Sequence, residues 1–212
     1  VNLSASPYHA GKVGERRHVL RERSTEQRAF VAYVNLVGGQ DEVLHDGASL
    51  VLDPRGEIVA AGAQFAEDLV VADLDLEAVA AARRDAAWPP AASGPARVVL
   101  PAVAPAARPA LPVRPVSPAP TPEAEVYDAL VLATRDYARK NGFDIAVLGL
   151  SGGIDSALSA AVAVDALGPD RVRGVRLPSP YSSDHSLDDA AETGRLLGMR
   201  VDTVAIEPAM KA

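Results

Sequence analysis

Short apolar runs rich in β-branched residues alternate along this chain with longer stretches that have helical spacing. FVAYVNLVGG (30–39) predicts a strand ending at paired glycines. ASLVLDPRGEIVAAG (48–62) predicts two strands joined by a turn at Asp53-Pro54-Arg55-Gly56, a hairpin. LVVADLDLEAVAAARRD (69–85) reads as a strand running into a helix. KVGERRHVLRERSTEQRAF (12–30) carries the charge patterning of a helix.

From Thr121 the rhythm changes. Thr121 is a good N-cap, Pro122 suits the first helical position, and Glu123 favours the positive helix start. The helix so begun is expected to run to about Lys140, with Val126, Leu130, Ala133 and Tyr137 on one face, until Asn141-Gly142 stops it. FDIAVLGL (143–150) then predicts a short buried parallel strand. A helix over 155–167, a strand over 172–177, a helix over 186–198 and a strand over 200–206 follow. This β-α-β-α-β alternation predicts an α/β fold with a doubly wound parallel sheet.

Between the two patterns, residues 85–122 hold eleven of the chain's 17 prolines. Proline fixes φ and lacks an N–H, so neither helix nor central strand persists there. The expected organisation is a first domain at 1–84, a Pro/Ala-rich linker at 85–121 and a second domain at 122–212. One long surface loop inside a single domain is the alternative, although structureless loops of that length are uncommon.

Composition narrows the function classes. The chain is 48% hydrophobic and 23% charged, without an apolar run long enough to span a bilayer, so a soluble cytoplasmic protein with no membrane partner is expected. A net charge of -7 argues against a nucleic-acid partner, because phosphate contacts need clustered Lys and Arg. Cysteine is absent, which removes disulfides, thiolate metal sites and a Cys nucleophile from this chain. The four histidines form no ligand spacing, and Asp188-Asp189 reads as a solvated first helical turn. VNLSASPYHAGK has no signal-peptide pattern, and both ends open or close on strand-like runs, as expected of an internal piece.

The chemistry concentrates in Gly149-Leu150-Ser151-Gly152-Gly153-Ile154-Asp155-Ser156, placed between a predicted buried strand and a predicted helix. That placement aims backbone N–H groups and the positive helix end at a ligand above the strand's C-terminal edge. Gly152 and Gly153 let the backbone approach an anion closely, and Ser151 and Ser156 add hydroxyl donors. Asp155 beside an anion is unfavourable unless a cation bridges the two, and Mg2+ held between Asp155 and phosphate oxygens would resolve the conflict. There is no Gly-Lys-Ser/Thr ending and no Gly-x-Gly-x-x-Gly pattern here. The residues alone leave open an ordinary glycine turn with a Ser or Asp helix cap.

SGGIDS resembles the loop of the N-type ATP pyrophosphatases, which grip the β,γ-pyrophosphate of ATP and cleave at the α-phosphate. Lys140-Asn141-Gly142-Phe143, VLGLSGGIDSALSAAVAVDALG and VRLPSPYSSDHSLDDA resemble the synthetase domain of NAD+ synthetases. In that family the segment matching Arg176-Leu177-Pro178 borders the adenine pocket, and the serine-rich loop after it is mobile. VNLSASPYHAGK and VNLVGGQDEVLHDGASLVLDPRGEIVA resemble the later half of a nitrilase-like glutaminase domain. The order of the two is that of glutamine-dependent NAD+ synthetases. The resemblance therefore implies the C-terminal part of a nitrilase-like α-β-β-α sandwich followed by the N-terminal part of an ATP-pyrophosphatase domain.

What the resemblance implies about chemistry is specific. ATP adenylates the nicotinate carboxylate of deamido-NAD+, and ammonia from glutamine displaces AMP to give NAD+. Residues 149–156 would bind ATP, Asp155 would hold Mg2+, and Ser6 and Lys12 would contact glutamine. The glutaminase Glu, Lys and Cys would lie upstream, so no catalytic residue is assigned here, and the 212-residue chain alone is not expected to finish either half-reaction. Homo-oligomerisation is implied as well. Another glutamine amidotransferase of the ATP-pyrophosphatase type, or a non-catalytic nucleotide-binding remnant, are the competing readings.

Overall fold

A computed structural model of the chain describes residues 1–84, 111, 116 and 119–211. The linker expected at 85–121 thus falls almost wholly outside the described residues. In chain order, the first stretch forms β1 (Asn2–Ser4), α1 (Lys12–Gln27), β2 (Val31–Asn35), β3 (Val37–Gln40), β4 (Val43–Asp46), β5 (Leu50–Leu52), β6 (Ile58–Ala61) and α2 (Leu76–Arg84). The second forms α3 (Pro122–Asn141), β7 (Ala146–Gly149), α4 (Ile154–Leu167), a 3-10 turn at Pro169–Arg171, β8 (Val172–Arg176), α5 (Asp184–Leu197), β9 (Arg200–Thr203) and α6 (Glu207–Met210). These elements divide into two compact units, Val1–Leu36 with Gly47–Ala119, and Val37–Asp46 with Pro120–Ala212.

In the first unit a four-stranded sheet runs in the order β1-β2-β5-β6, with β1 parallel to β2 and the other neighbours antiparallel. Leu20 of α1 packs with Tyr33, Leu50 and Leu52 into the core, and Leu52 is only 1% exposed. Arg16 is buried with them because its guanidinium lies over the Tyr33 ring, 5.5 Å from the centroid. The expected hairpin at 48–62 forms as β5 and β6. Its turn closes through Asp53, whose backbone and Oδ1 both accept hydrogen bonds from the turn, while Gly56 takes φ 83.

Two sequence expectations change here. The strand read over 30–39 breaks at Leu36 into β2 and β3, where the Leu36 N–H donates to the Ser4 carbonyl at 2.9 Å and its carbonyl accepts from the Gly47 N–H at 2.9 Å. β3 pairs antiparallel with β4, a strand the apolar pattern did not announce, and both belong to the second unit. No strand forms at 69–75. Asp68 instead accepts from the Ala63 N–H and Asp75 from the Glu77 N–H at the start of α2, so these carboxylates engage local backbone donors.

In the second unit Thr121 caps α3 by accepting from the Ala124 N–H at 3.3 Å, and Gly142 ends it at φ 71. The buried positions of α3 are Ala129, Leu132 and Ala138, whereas Val126, Leu130 and Tyr137 of the expected stripe are exposed. The helix is contacted by both α4 and β3. Gly39 of β3 comes so close that a Cβ would stand 3.4 Å from the Ala133 Cα, and the Gly39 N–H donates to Asp136 at 2.8 Å.

β7, β8 and β9 form a parallel sheet in chain order. α4 and α5 pack on it and on each other. The core they close contains Leu150, Ala160, Ala163, Val172, Ala190 and Met199. β7, expected as a buried strand, alternates instead and leaves Val147 65% exposed, while Leu148 packs against the core formed with α4 and α5 residues. Among the described residues no helix is long and apolar enough to cross a membrane.

Candidate functional site

The strand β7 delivers Leu150 into the core, 5% exposed, with its N–H donating to the Val175 carbonyl at 2.9 Å. That anchor fixes where the chain leaves the sheet. Ser151, Gly152 and Gly153 then turn it into α4. Gly152 adopts φ 80, and a Cβ there would stand 2.3 Å from the Ser186 carbonyl oxygen, so only glycine fits without moving backbone. Gly153 sits at the N-cap in an extended conformation and makes no side-chain cap, which leaves the first turn of α4 uncovered by any capping side chain.

The two serines brace the loop from within. Ser156 Oγ donates to the Gly153 carbonyl at 2.9 Å, accepts from the Ser151 N–H at 3.3 Å and shares a hydrogen bond with Ser151 Oγ. Ser151 Oγ also accepts from the Gly153 N–H at 3.2 Å. These hydroxyls, expected from the sequence as donors to a ligand, also hydrogen-bond to the loop's own atoms. Asp155 and Ile154 occupy the exposed start of α4, and the Asp155 carboxylate makes no hydrogen bond or ion pair among the described residues.

Beside the loop lies an open cavity of about 480 Å³, lined by Gly149, Leu150 and Ser151, by Val175 and Leu177 of the β8 end, and by Tyr181, Ser182, Ser183, Ser186 and Leu187. The residues from 181 onward were not assigned individually from the sequence. Their signal was the serine density before a helix start. Ser183 caps α5 by accepting from the Ser186 N–H at 3.2 Å, and Ser179 and Ser182 bond to each other across the preceding turn. Arg176 does not line the cavity; its guanidinium turns to the Leu187 carbonyl and to Thr203. No Lys or Arg lines this cavity, and among the described residues no group of three or more His, Cys, Asp or Glu could hold a metal ion.

Ser6 and Lys12 fall in the other unit. Ser6 follows β1 and donates its N–H to Asn35 Oδ1 at 2.9 Å; Lys12 opens α1, with its N–H on the His9 carbonyl at 3.0 Å. Both are half-buried, and no hydrogen bond joins their side chains among the described residues. The structure thus gathers residues 149–156 into one strand-loop-helix connection, while Ser6 and Lys12 lie at the end of β1 and the start of α1.

Residues 126–212 match the NAD synthase family and residues 4–84 the carbon–nitrogen hydrolase family. A glutamine-dependent NAD(+) synthetase of Aquifex aeolicus is 42% identical over 100% of this chain and 38% of its own length. The Rhodobacter capsulatus protein of that name is 44% identical over 96% of this chain and 32% of its own length. The solved structure of glutamine-dependent NAD+ synthetase from Acinetobacter baumannii in complex with ADP superposes with a TM-score of 0.79 at 35% identity. That superposition covers 100% of this chain and 35% of the other. The chain therefore spans about a third of the length of these relatives. It belongs to the glutamine-dependent NAD+ synthetase family, with a carbon–nitrogen hydrolase region followed by an NAD synthase region.

Proposed function

We propose that this chain supplies the ATP-binding loop, and part of the glutamine-binding surface, of a carbon–nitrogen ligase that converts deamido-NAD+ to NAD+. Residues 1–84 would belong to the glutaminase domain, 85–121 to a linker and 122–212 to the synthetase domain. The observation that carries the reading is the SGGIDS loop, braced between parallel β7 and an uncapped α4 beside an open cavity of about 480 Å³. In this reading, residues 149–156 hold the nucleotide's phosphates by backbone N–H groups and the positive end of α4. Ser6 and Lys12 take part in holding glutamine, and ammonia released from it attacks the adenylated nicotinate carboxylate.

The absence of Lys and Arg from the cavity lining bears on the metal. Nucleotide phosphates there have backbone amides but no basic side chain among the lining residues. Asp155, exposed and with its carboxylate unengaged, fits a single protein ligand to Mg2+, an ion that keeps water and phosphate oxygens for its remaining positions. Bound there, Mg2+ would supply charge neutralisation on the departing pyrophosphate. Oxygen donors shared by one carboxylate and the substrate are consistent with the lack of any larger acidic cluster among the described residues. The expected partners are small molecules in the cytoplasm, acted on by a homo-oligomer.

Isothermal titration of the 212-residue chain with ATP tests the loop. Mg-ATP should bind, and Asp155→Ala should weaken it about tenfold with Mg2+ present and far less without, as expected for loss of one charge-assisted contact. No binding by the parent chain refutes the nucleotide site; equal affinities of parent and variant refute the metal assignment.

A further inference from the structure

Arg176 ends β8 on the same sheet edge from which the glycine loop departs, since Gly149 pairs with its neighbour Val175. Its guanidinium reaches in two directions. Nη1 donates to the Leu187 carbonyl at 3.0 Å, while Nε and Nη2 donate to Thr203 Oγ1 at 3.2 and 2.8 Å. The fork thus ties the end of β8 to the end of β9 and to the first turn of α5. A planar guanidinium with fixed donor directions can serve two acceptors at once; a lysine ammonium is a single point on a flexible stem.

The same first turn of α5 meets the glycine loop on its other side. A Cβ at Gly152 would lie 2.3 Å from the Ser186 carbonyl oxygen and 2.8 Å from the Ser186 Cα. These are backbone atoms, so they cannot rotate out of the way. Ser186 touches the loop and Leu187, the next residue, is held by Arg176. A shift of one entails a shift of the other.

We propose that Arg176 is a positioning residue for the glycine loop: by fixing the first turn of α5 against Gly152, it holds the left-handed turn that aims the start of α4 at the phosphates. This deepens the nucleotide reading of the loop and rests on it. Arg171 offers a control from the opposite end of the same strand. Its Nε and Nη2 donate to the Asp144 and Phe143 carbonyls at 2.8 and 3.0 Å, so it also braces backbone, through hydrogen bonds to neither α5 nor the loop.

The test compares the whole chain with Arg176→Met, Arg176→Lys and Arg171→Met by amide hydrogen exchange and by Mg-ATP titration. Arg176→Met should speed exchange in 150–153 and 184–188 together and weaken Mg-ATP by about tenfold, the scale of one lost charge-assisted hydrogen bond. Arg176→Lys should restore part of both. Arg171→Met should lower the melting temperature and change neither readout. Faster exchange at 184–188 with 150–153 unchanged would overturn the proposal, as would equal losses of affinity in Arg171→Met and Arg176→Met. If the parent chain binds no Mg-ATP, the nucleotide reading fails on its own, while the exchange measurements still decide whether Arg176 positions the loop.

Discussion

The sheet β7-β8-β9 keeps chain order and one direction, whereas β1-β2-β5-β6 mixes parallel and antiparallel neighbours and skips two strands. In the parallel sheet each helix returns beside the strand it left. The direct contacts that shape the glycine loop therefore come from between Ala146 and Leu187: the Leu150 anchor, the serine braces and the first turn of α5. In the mixed sheet Ser6 is held by Asn35, 29 residues away, and Lys12 by its place in α1. A phosphate site can be assembled from one strand-loop-helix connection. The proposed glutamine contacts Ser6 and Lys12 sit in a unit whose strands join residues distant in sequence.

If that difference is physical, damage to one sheet should leave the other site intact. Leu52 is 1% exposed in the first unit's core, among Leu20, Tyr33 and Leu50. Leu52→Ala should cost about 3 kcal/mol there, the usual loss when a fully buried leucine is truncated and the cavity only partly collapses. Exchange over 31–35 and 50–61 should accelerate while Mg-ATP affinity stays at the parent value. A parallel loss of Mg-ATP binding would mean that the loop depends on the mixed sheet after all.

The converse damage is smaller. Gly152→Ala places a Cβ against Ser186 backbone at φ 80, and such strain is worth roughly 1–3 kcal/mol. Titration should find Mg-ATP binding weaker by roughly tenfold to a hundredfold, the same energy expressed as affinity, with exchange in 31–35 and 50–61 unchanged. Undiminished affinity would show that the turn tolerates a side chain and that its close approach to α5 is incidental.

The same contrast explains what could be read from residues alone. The elements from α3 to β9 were legible because Thr121-Pro122, Gly142, Gly152 and Gly198 punctuate them and the periods between are regular. The order and direction of the three strands followed from alternation. β4 was not legible: VLHD is four residues with one charge, and it is a strand because β3 turns back at Asp41 with φ 51. The exposure of the stripe of Val126, Leu130 and Tyr137 on α3 was not legible, because apolar periodicity marks a face without saying whether small residues on another face pack more closely. At the site, the loop's position was legible, and the hydrogen bonds its hydroxyls make within the loop were not. Those bonds depend on a turn geometry set by contacts with residues distant in sequence, the Leu150 anchor to Val175 and the approach of Gly152 to Ser186.

The smallest expected effect lies where α3 joins α4. Tyr127 Oη donates to Asp165 Oδ2 at 2.6 Å. That hydrogen bond, then partial burial, then the charges of Asp165 and Asp128, push the phenol up from about 10 to about 12. The unfolded chain releases this proton near pH 10 while the folded chain keeps it. The stabilisation is therefore complete below pH 10 and is lost as pH rises towards 12. Tyr127→Phe should cost about 1 kcal/mol at pH 8, the net worth of one ordinary hydrogen bond. Its denaturation profile should lack the extra fall that the parent shows between pH 10 and 12. Amide exchange should place that alkaline loss in α3 and α4 and leave β2 and β5 unaffected. Identical pH slopes in parent and variant would remove the Tyr127–Asp165 bond from the forces holding the helix layer of the parallel sheet.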